Sequence, residues 1–375
     1  MAGGTEKIRI PVCAPLLTGR EIDYLKECLQ STWISSGGPL VSRFEEGFAR
    51  FCESGYGVTT NSGTTALHLA LAAARIGPGD EVILPTFTMI ACINAVEYTG
   101  AKGVLVDSDP ATWTLDASKV KSKVGKRTKA IMPVHIYGHP ADMDPLVDLA
   151  KKRGLFLLED AAEAHGALYK GAKVGSLGDA ASFSFYSNKI ITTGEGGMNV
   201  TKDKALAERM AWLRAHAFGR GGKHFWHEEL GFGYRMSSLQ AAVGLAQLER
   251  IDEMVGRRVA HAKLYNEQLD GVEGVELPPE KDWAKSVFWM YSIRVPSQQV
   301  RDGLMRWLAA RGVETRTFFY PIHRQPYYAA RYKGERFPVA DKLSATGINL
   351  PSGNGLTEEE ISEVCDGIRA FFERR

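Results

Sequence analysis

The sequence predicts an α/β fold, in which helices cover both faces of a sheet. Short apolar runs that are typical of buried strands occur at residues 81–85, 102–107, 130–135 and 155–160, and helical patterns lie between them at 94–98 and 143–153. Strands that alternate with helices in this way indicate a mostly parallel sheet. A chain of 375 residues is long enough for two domains, and we expect a large domain over residues 1–249 and a smaller C-terminal α/β domain over residues 250–375.

The chain before the sheet predicts an extended arm followed by a helix. We expect this helix over residues 18–31, with Thr18 as its cap and with Ile22, Leu25 and Leu29 on one face. By the same periodicity, further helices are expected at 41–52, 202–213, 238–265, 301–311 and 358–372, and further strands at 182–185, 287–295 and 314–319.

A candidate phosphate site lies at the start of another helical run, over residues 61–71. Gly63, Thr64 and Thr65 precede its apolar part, so unbonded backbone N–H groups and the positive end of the helix dipole would face a bound anion. The same residue types are favoured as plain helix caps, and this stretch alone leaves both interpretations open.

A candidate reactive lysine follows the strand at 182–185. Lys189 lies where this strand runs into a glycine-rich turn, while the apolar run at 155–158 ends in Glu159 and Asp160. Ligands of open parallel sheets bind at the carboxyl ends of the strands, which places a lysine and an acid at one site. On position alone, a solvated surface lysine is the alternative.

These features together match the requirements of pyridoxal 5'-phosphate (PLP). Its aldehyde needs an amine that can be neutral near pH 7, for which Lys189 is the candidate, and its ring nitrogen needs a carboxylate, for which Asp160 is the candidate. Ser184 offers a hydroxyl to the phosphate. Phe87 follows a strand end and offers a flat apolar surface, although an aromatic there is more often simple core.

Composition disfavours several other classes of function. A formal charge of +2, from 46 basic and 44 acidic side chains, shows no bias toward nucleic acid or a membrane surface. The five scattered cysteines fit free thiols in a reducing cytosol, and no apolar run has transmembrane length, so we expect a cytoplasmic enzyme. His224 and His227 lie three residues apart without a third ligand nearby, so no metal is expected.

Four further stretches carry a resemblance to a known family. They are Glu-Asp-Ala-Ala-Glu-Ala-His-Gly at 159–166, Gly-Ser-Leu-Gly-Asp at 175–179, Phe-Ser-Phe-Tyr-Ser-Asn-Lys at 183–189 and Thr-Gly-Glu-Gly-Gly-Met at 193–198. Together they resemble the DegT/DnrJ/EryC1/StrS nucleotide-sugar aminotransferases, and the likeness covers nearly the whole chain. The resemblance implies a fold-type-I PLP enzyme and a homodimer whose active sites are shared between the subunits.

The resemblance also implies roles for individual residues. Lys189 would be the Schiff-base lysine and proton shuttle, and Asp160 would bind the pyridine nitrogen. The remaining cofactor residues would be Gly63, Thr64, Thr65 and Ser184 at the phosphate, Phe87 stacked on the ring and Glu163 near the phenolic oxygen, and the substrate residues would be Arg316, Tyr320 and His323.

The reaction implied is amino transfer from L-glutamate to a nucleotide-linked 4-keto-6-deoxy sugar, with pyridoxamine 5'-phosphate as the intermediate cofactor form. The stretches at 288–291, 301–305 and 318–323 resemble members that act on a GDP-linked sugar, while a dTDP- or UDP-linked sugar stays open. Sugar dehydratases of the same fold carry histidine in place of the lysine, so Lys189 favours transamination. A non-catalytic regulator would need a DNA-binding segment, which the sequence does not show.

Two positions depart from the family pattern. Glu163 stands where many relatives have glutamine, and Gly233 stands where relatives have an asparagine that reaches the phosphate across the dimer. Since glycine has no side chain, we expect that second contact to be absent or replaced.

Overall fold

The computed structural model describes residues 8–219 and 225–374, and these form the predicted α/β architecture. The strands are β1 (Tyr56–Thr60), β2 (Glu81–Pro85), β3 (Lys102–Val106), β4 (Thr128–Ile131), β5 (Phe156–Asp160), β6 (Leu168–Tyr169), β7 (Ala172–Lys173), β8 (Ala180–Ser184), β9 (Gly197–Thr201), β10 (Ala284–Lys285), β11 (Ser292–Arg294), β12 (Arg316–Thr317) and β13 (Gly347–Asn349). The α-helices are α1 (Glu21–Ser31), α2 (Pro39–Phe51), α3 (Gly63–Ala73), α4 (Ala91–Tyr98), α5 (Ala117–Lys123), α6 (Asp144–Arg153), α7 (Lys204–Leu213), α8 (Ser238–Leu248), α9 (Ile251–Leu269), α10 (Gln298–Ala309), α11 (Pro326–Ala329), α12 (Pro338–Thr346) and α13 (Glu358–Glu373).

The large sheet has seven strands in the order β1-β9-β8-β5-β4-β2-β3. Neighbouring strands pair in parallel except at β9, which is antiparallel to both β1 and β8. The predicted mostly parallel mixed sheet is therefore confirmed. Its parallel strands deliver Pro85, Asp160 and Ser184 to the same edge, because each of these residues ends its strand.

A second, smaller sheet lies toward the C-terminus. Strands β11, β13 and β12 form it with antiparallel pairing, and an apolar core surrounds it with Tyr265, Leu304 and Ile368 among its buried members. Ile10 of the N-terminal arm also packs in this core. The domain boundary near residue 250 is compatible with this separate core and stays a prediction.

The first helix differs from the sequence prediction. It begins at Glu21 without a side-chain cap, because the Thr18 hydroxyl instead accepts a hydrogen bond of 2.7 Å from Arg250. Ile22 and Leu29 are 67% and 64% exposed, and the buried face carries Tyr24 and Cys28. Two of the three residues on the predicted apolar face thus lie outward, whereas Leu25 is half-buried against the core.

Two predicted elements are interrupted. The single helix expected at 238–265 is divided into α8 and α9 by Arg250, whose φ of −119° is not helical. The strand expected at 287–295 is reduced to β11, because Phe288 adopts a left-handed conformation with φ of 45°. Among the described helices, none combines the length and apolar character needed to cross a bilayer.

Candidate active site

A cavity of about 270 Å³ lies at the edge of the large sheet where the parallel strands end. The described residues that line it include Gly63, Thr64, Asp160, Glu163, Ser184 and Lys189. Six of the eight residues predicted to form the cofactor site therefore meet at one place, although their elements are far apart in the sequence.

The start of α3 forms one wall of this cavity. Ser62 accepts the Thr65 N–H at 3.2 Å, and its own N–H is accepted by the Thr65 hydroxyl at 3.1 Å. This reciprocal cap leaves the N–H groups of Gly63 and Thr64 without an acceptor in the part of the chain that the structure describes. A Cβ on Gly63 would lie 2.7 Å from Ser184 Cβ, so only glycine allows the helix start and the end of β8 to approach this closely.

Asp160 is held at the end of β5 by two donors. Its Oδ1 accepts the Ala162 N–H at 3.1 Å, and its Oδ2 accepts the Cys92 thiol at 2.8 Å. The residue is 4% exposed and lines the cavity. A buried carboxylate with each oxygen bonded on one side presents a fixed orientation to whatever occupies the cavity.

Lys189 lies in the turn between β8 and β9 and points into the cavity. Its Nζ lies 3.7 Å from Glu163 Oε1 and 3.6 Å from the ring centre of Trp289, and its side chain is 9% exposed. Burial lowers the pKa of this amine, while the Glu163 and Asp160 carboxylates oppose that effect. The alternative of a solvated surface lysine is therefore wrong.

Glu163 is the acid that faces this amine directly. Its Oε2 accepts the Tyr137 N–H at 2.8 Å. Burial raises its pKa to about 7, against the opposing effects of the Lys189 ammonium and of the Tyr137 hydrogen bond. The amine and the acid are thus an electrostatically coupled pair in the cavity wall.

Trp289 completes the wall next to the lysine, and sequence reasoning did not assign it. Its indole N–H donates to the Asn188 carbonyl at 2.8 Å, and its own carbonyl accepts from the buried Arg258 at 2.6 Å. Arg258 also donates to Asn354 at 2.7 Å, and Asn354 donates to the Ile190 carbonyl at 2.8 Å. The turn on both sides of the lysine is therefore anchored by residues from the C-terminal part of the chain.

Two predicted cofactor residues lie elsewhere. Phe87 is 1% exposed, packs against Tyr137 and Phe318 in the core, and does not line the cavity. From the same strand end, Thr88 and Met89 line the cavity, and Met89 is 47% exposed. Thr65 uses its hydroxyl in the helix cap and likewise does not line the cavity.

The three residues expected on the substrate side do not line this cavity either. Arg316 and Tyr320 are exposed, and the arginine pairs with a neighbouring glutamate. His323 is buried between Thr86 and Asp341, with its ring nitrogens 2.8 Å and 3.0 Å from their oxygens. Arg316 thus forms a surface ion pair and His323 has structural partners, and a substrate role for the three residues stays a prediction.

Gly233 lies beside a histidine ring. A Cβ at this position would be 3.0 Å from His216 Cε1, so the space available to a side chain here is already limited. His224 and most of the basic, glycine-rich loop at 217–223 lie outside the described residues. The described ranges contain no group of three or more histidine, cysteine or acidic residues that could hold a metal.

This chain is similar to known proteins in sequence and in fold. The profile of the DegT/DnrJ/EryC1/StrS aminotransferase family matches residues 15–369. GDP-perosamine synthase from Escherichia coli O157:H7 is 45% identical over 97% of this chain and 98% of its own. The synthase of the same name from Caulobacter vibrioides is 47% identical over 95% and 96%. The PLP form of a protein from Streptococcus pneumoniae matches with a TM-score of 0.91 and 27% identity over 97% of this chain and 99% of that one.

Proposed function

The chain belongs to the DegT/DnrJ/EryC1/StrS aminotransferase family, and we propose that it moves the amino group of L-glutamate to the 4-keto carbon of GDP-4-keto-6-deoxymannose, giving GDP-perosamine. It is a PLP-dependent sugar aminotransferase. The observation that carries the assignment of chemistry is the meeting of Lys189 and Asp160 in one cavity. The identities of 45% and 47% to two GDP-perosamine synthases support the choice of sugar.

The residues of the cavity fit PLP. Two unbonded N–H groups at the start of α3 and the nearby Ser184 hydroxyl match a phosphate. Asp160 would hold the proton on the ring nitrogen, and Lys189 would bind the aldehyde through Nζ. When bound, PLP supplies an electron-poor ring that stabilises negative charge on the reacting carbon.

Lys189 is the residue that would move the proton. Because burial lowers the pKa of its amine, Nζ could accept the proton that leaves the α-carbon of the amino donor and hold it for delivery to the cofactor carbon that keeps the nitrogen. Glu163, 3.7 Å away, stabilises the charged form while Nζ holds that proton. The Trp289 ring covers the amine at 3.6 Å and keeps water from it.

We also propose a homodimer in the cytoplasm. Met89 and Tyr186 line the cavity and are 47% and 46% exposed, so the cavity is open on the side where they lie. A second copy over this edge would close it. Sedimentation at working concentration tests this proposal, and a fully active monomer would contradict it.

Parallel assays of three substrates test the proposed reaction. The purified enzyme is offered GDP-, dTDP- and UDP-linked 4-keto-6-deoxy sugars with L-glutamate, and the release of 2-oxoglutarate is measured. We expect the GDP sugar to be strongly preferred and L-aspartate to replace glutamate poorly. Equal rates with the three nucleotides would defeat the choice of sugar, and a Lys189→Ala variant that keeps its turnover would defeat the aminotransferase mechanism.

A further inference from the structure

We infer that Cys92 is a positioning residue, which fixes the orientation of the Asp160 carboxylate in the cofactor cavity through a thiol hydrogen bond. The inference rests on the proposed function, because it concerns the acid assigned to the ring nitrogen of PLP. Cys92 lies in the first turn of α4, and Asp160 is the last residue of β5. The two side chains meet where this strand ends.

The distances around Cys92 determine which of its neighbours accepts the thiol proton. Cys92 Sγ lies 2.8 Å from Asp160 Oδ2 and 3.1 Å from Thr88 Oγ1. A carboxylate can only accept, so the sulfur donates to Asp160 and is left to accept from the Thr88 hydroxyl. Cys92 is fully buried and Asp160 is 4% exposed, so water does not compete for these bonds.

The electrostatic surroundings keep the donor in place. Burial raises the pKa of the Cys92 thiol well above its ordinary value, and the charge of Asp160 and the hydrogen bond to it raise it further. The sulfur therefore keeps its proton throughout the neutral pH range. If the thiol lost its proton, the thiolate would be a second buried negative charge beside the Asp160 carboxylate.

The consequence concerns the rotation of the carboxylate. The Ala162 N–H holds Oδ1 and the Cys92 thiol holds Oδ2, so the plane of the group is set by one donor on each oxygen. Without the thiol, a single backbone N–H remains, and the carboxylate can turn about its last side-chain bond. The negative charge of Asp160 would stay in the cavity, but the orientation of its carboxylate relative to the ring nitrogen would be less well defined.

The experiment compares donor and non-donor side chains at position 92 in the full-length protein. PLP affinity is measured by titrating the apoenzyme, and the protonation of the ring nitrogen is followed by NMR of PLP labelled at that atom. We expect Cys92→Ala and Cys92→Val to bind PLP roughly tenfold more weakly, the size of one hydrogen bond to a charged group, and to shift the ring-nitrogen signal toward its unprotonated position. Cys92→Ser keeps a donor and should restore both measurements.

Cys365→Ala is the matched control, because Cys365 is equally buried but lies in the C-terminal core. It should leave both measurements unchanged, although it removes the same atoms. Two non-donor variants of different size keep the test valid if one of them does not fold. Wild-type affinity and an unshifted signal in the variants would overturn the role of Cys92 alone, whereas a wild-type protein that binds no PLP would overturn the proposed function as well.

Discussion

Nζ of Lys189 lies 3.7 Å from Oε1 of Glu163, and both side chains are almost completely removed from solvent. The titrations of a buried amine and a neighbouring buried carboxylate are coupled, so the charge state of one affects that of the other. In this cavity the acid favours the ammonium form of the lysine, whereas burial favours the neutral form that attacks an aldehyde.

Removal of the acid should therefore make the lysine react at lower pH. In Glu163→Gln, the Lys189 ammonium loses its nearest negative charge, so the midpoint of the PLP association rate against pH should move to lower pH. Stopped-flow absorbance measures this rate. Glu195→Gln is the matched control, because Glu195 lines the same cavity but is exposed. An unchanged midpoint in Glu163→Gln would show that the pair does not control the amine.

Gly63→Ala should damage the phosphate site by steric conflict. The added Cβ would approach Ser184 Cβ to 2.7 Å and Ser184 Cα to 3.3 Å, so the start of α3 must move away from β8. We expect a loss of about 1–3 kcal/mol in stability and PLP binding at least tenfold weaker, measured by chemical unfolding and by cofactor titration. Gly256→Ala is the control, since nothing lies within 4 Å of its Cβ and alanine is the better helix former. Equal behaviour of the two variants would contradict the close approach.

Trp289→Phe should loosen the turn that carries the lysine. Phenylalanine keeps an aromatic face toward Lys189 but loses the indole N–H that bonds the Asn188 carbonyl at 2.8 Å. One neutral hydrogen bond contributes about 1 kcal/mol, so we expect kcat to fall several-fold with little change in overall fold. Trp283→Phe is the control, because Trp283 packs against Tyr169 away from the cavity. Wild-type kcat in Trp289→Phe would indicate that the bond does not position the lysine.

The residues that could be predicted are those whose role follows from the local chain. Asp160 and Ser184 end strands, Lys189 follows one, and Gly63 starts a helix. The predicted strands and helices alone therefore place these four residues at one edge of the sheet. Phe87 does not line the cavity, and its contact with the cofactor ring stays a prediction. Where a strand passes into a loop, the alternation of inner and outer side chains no longer decides which aromatic faces the ligand.

The residues that could not be predicted depend on contacts between distant segments. Arg258 of α9 donates to Trp289, Asn354 and Cys13, which lie far from it in the sequence, and no pattern around residue 258 marks such contacts. Periodicity groups Ile22, Leu25 and Leu29 on one face of α1, but it does not show that Ile22 and Leu29 lie outward, because it identifies an apolar face and not the surface that covers it.

His165 should make the protein less stable in acid. The ring is fully buried among Phe48, Phe183 and Phe185, and burial lowers its pKa from 6.5 to about 3. Because the unfolded chain binds the proton first, the stabilisation is complete above pH 6.5 and is lost as the pH falls toward 3. Between pH 7.5 and 5 this residue should remove about 2 kcal/mol from the free energy of unfolding.

Chemical unfolding of the apoenzyme at those two pH values measures this loss. His165→Phe keeps an aromatic ring without a titrating group, so its stability should depend less on pH than that of the wild type, whatever its absolute value. His227→Phe, which removes an exposed histidine, is the matched control. If the free energy of unfolding falls equally on acidification in His165→Phe and in the wild type, protonation of the buried ring does not cause the loss of stability.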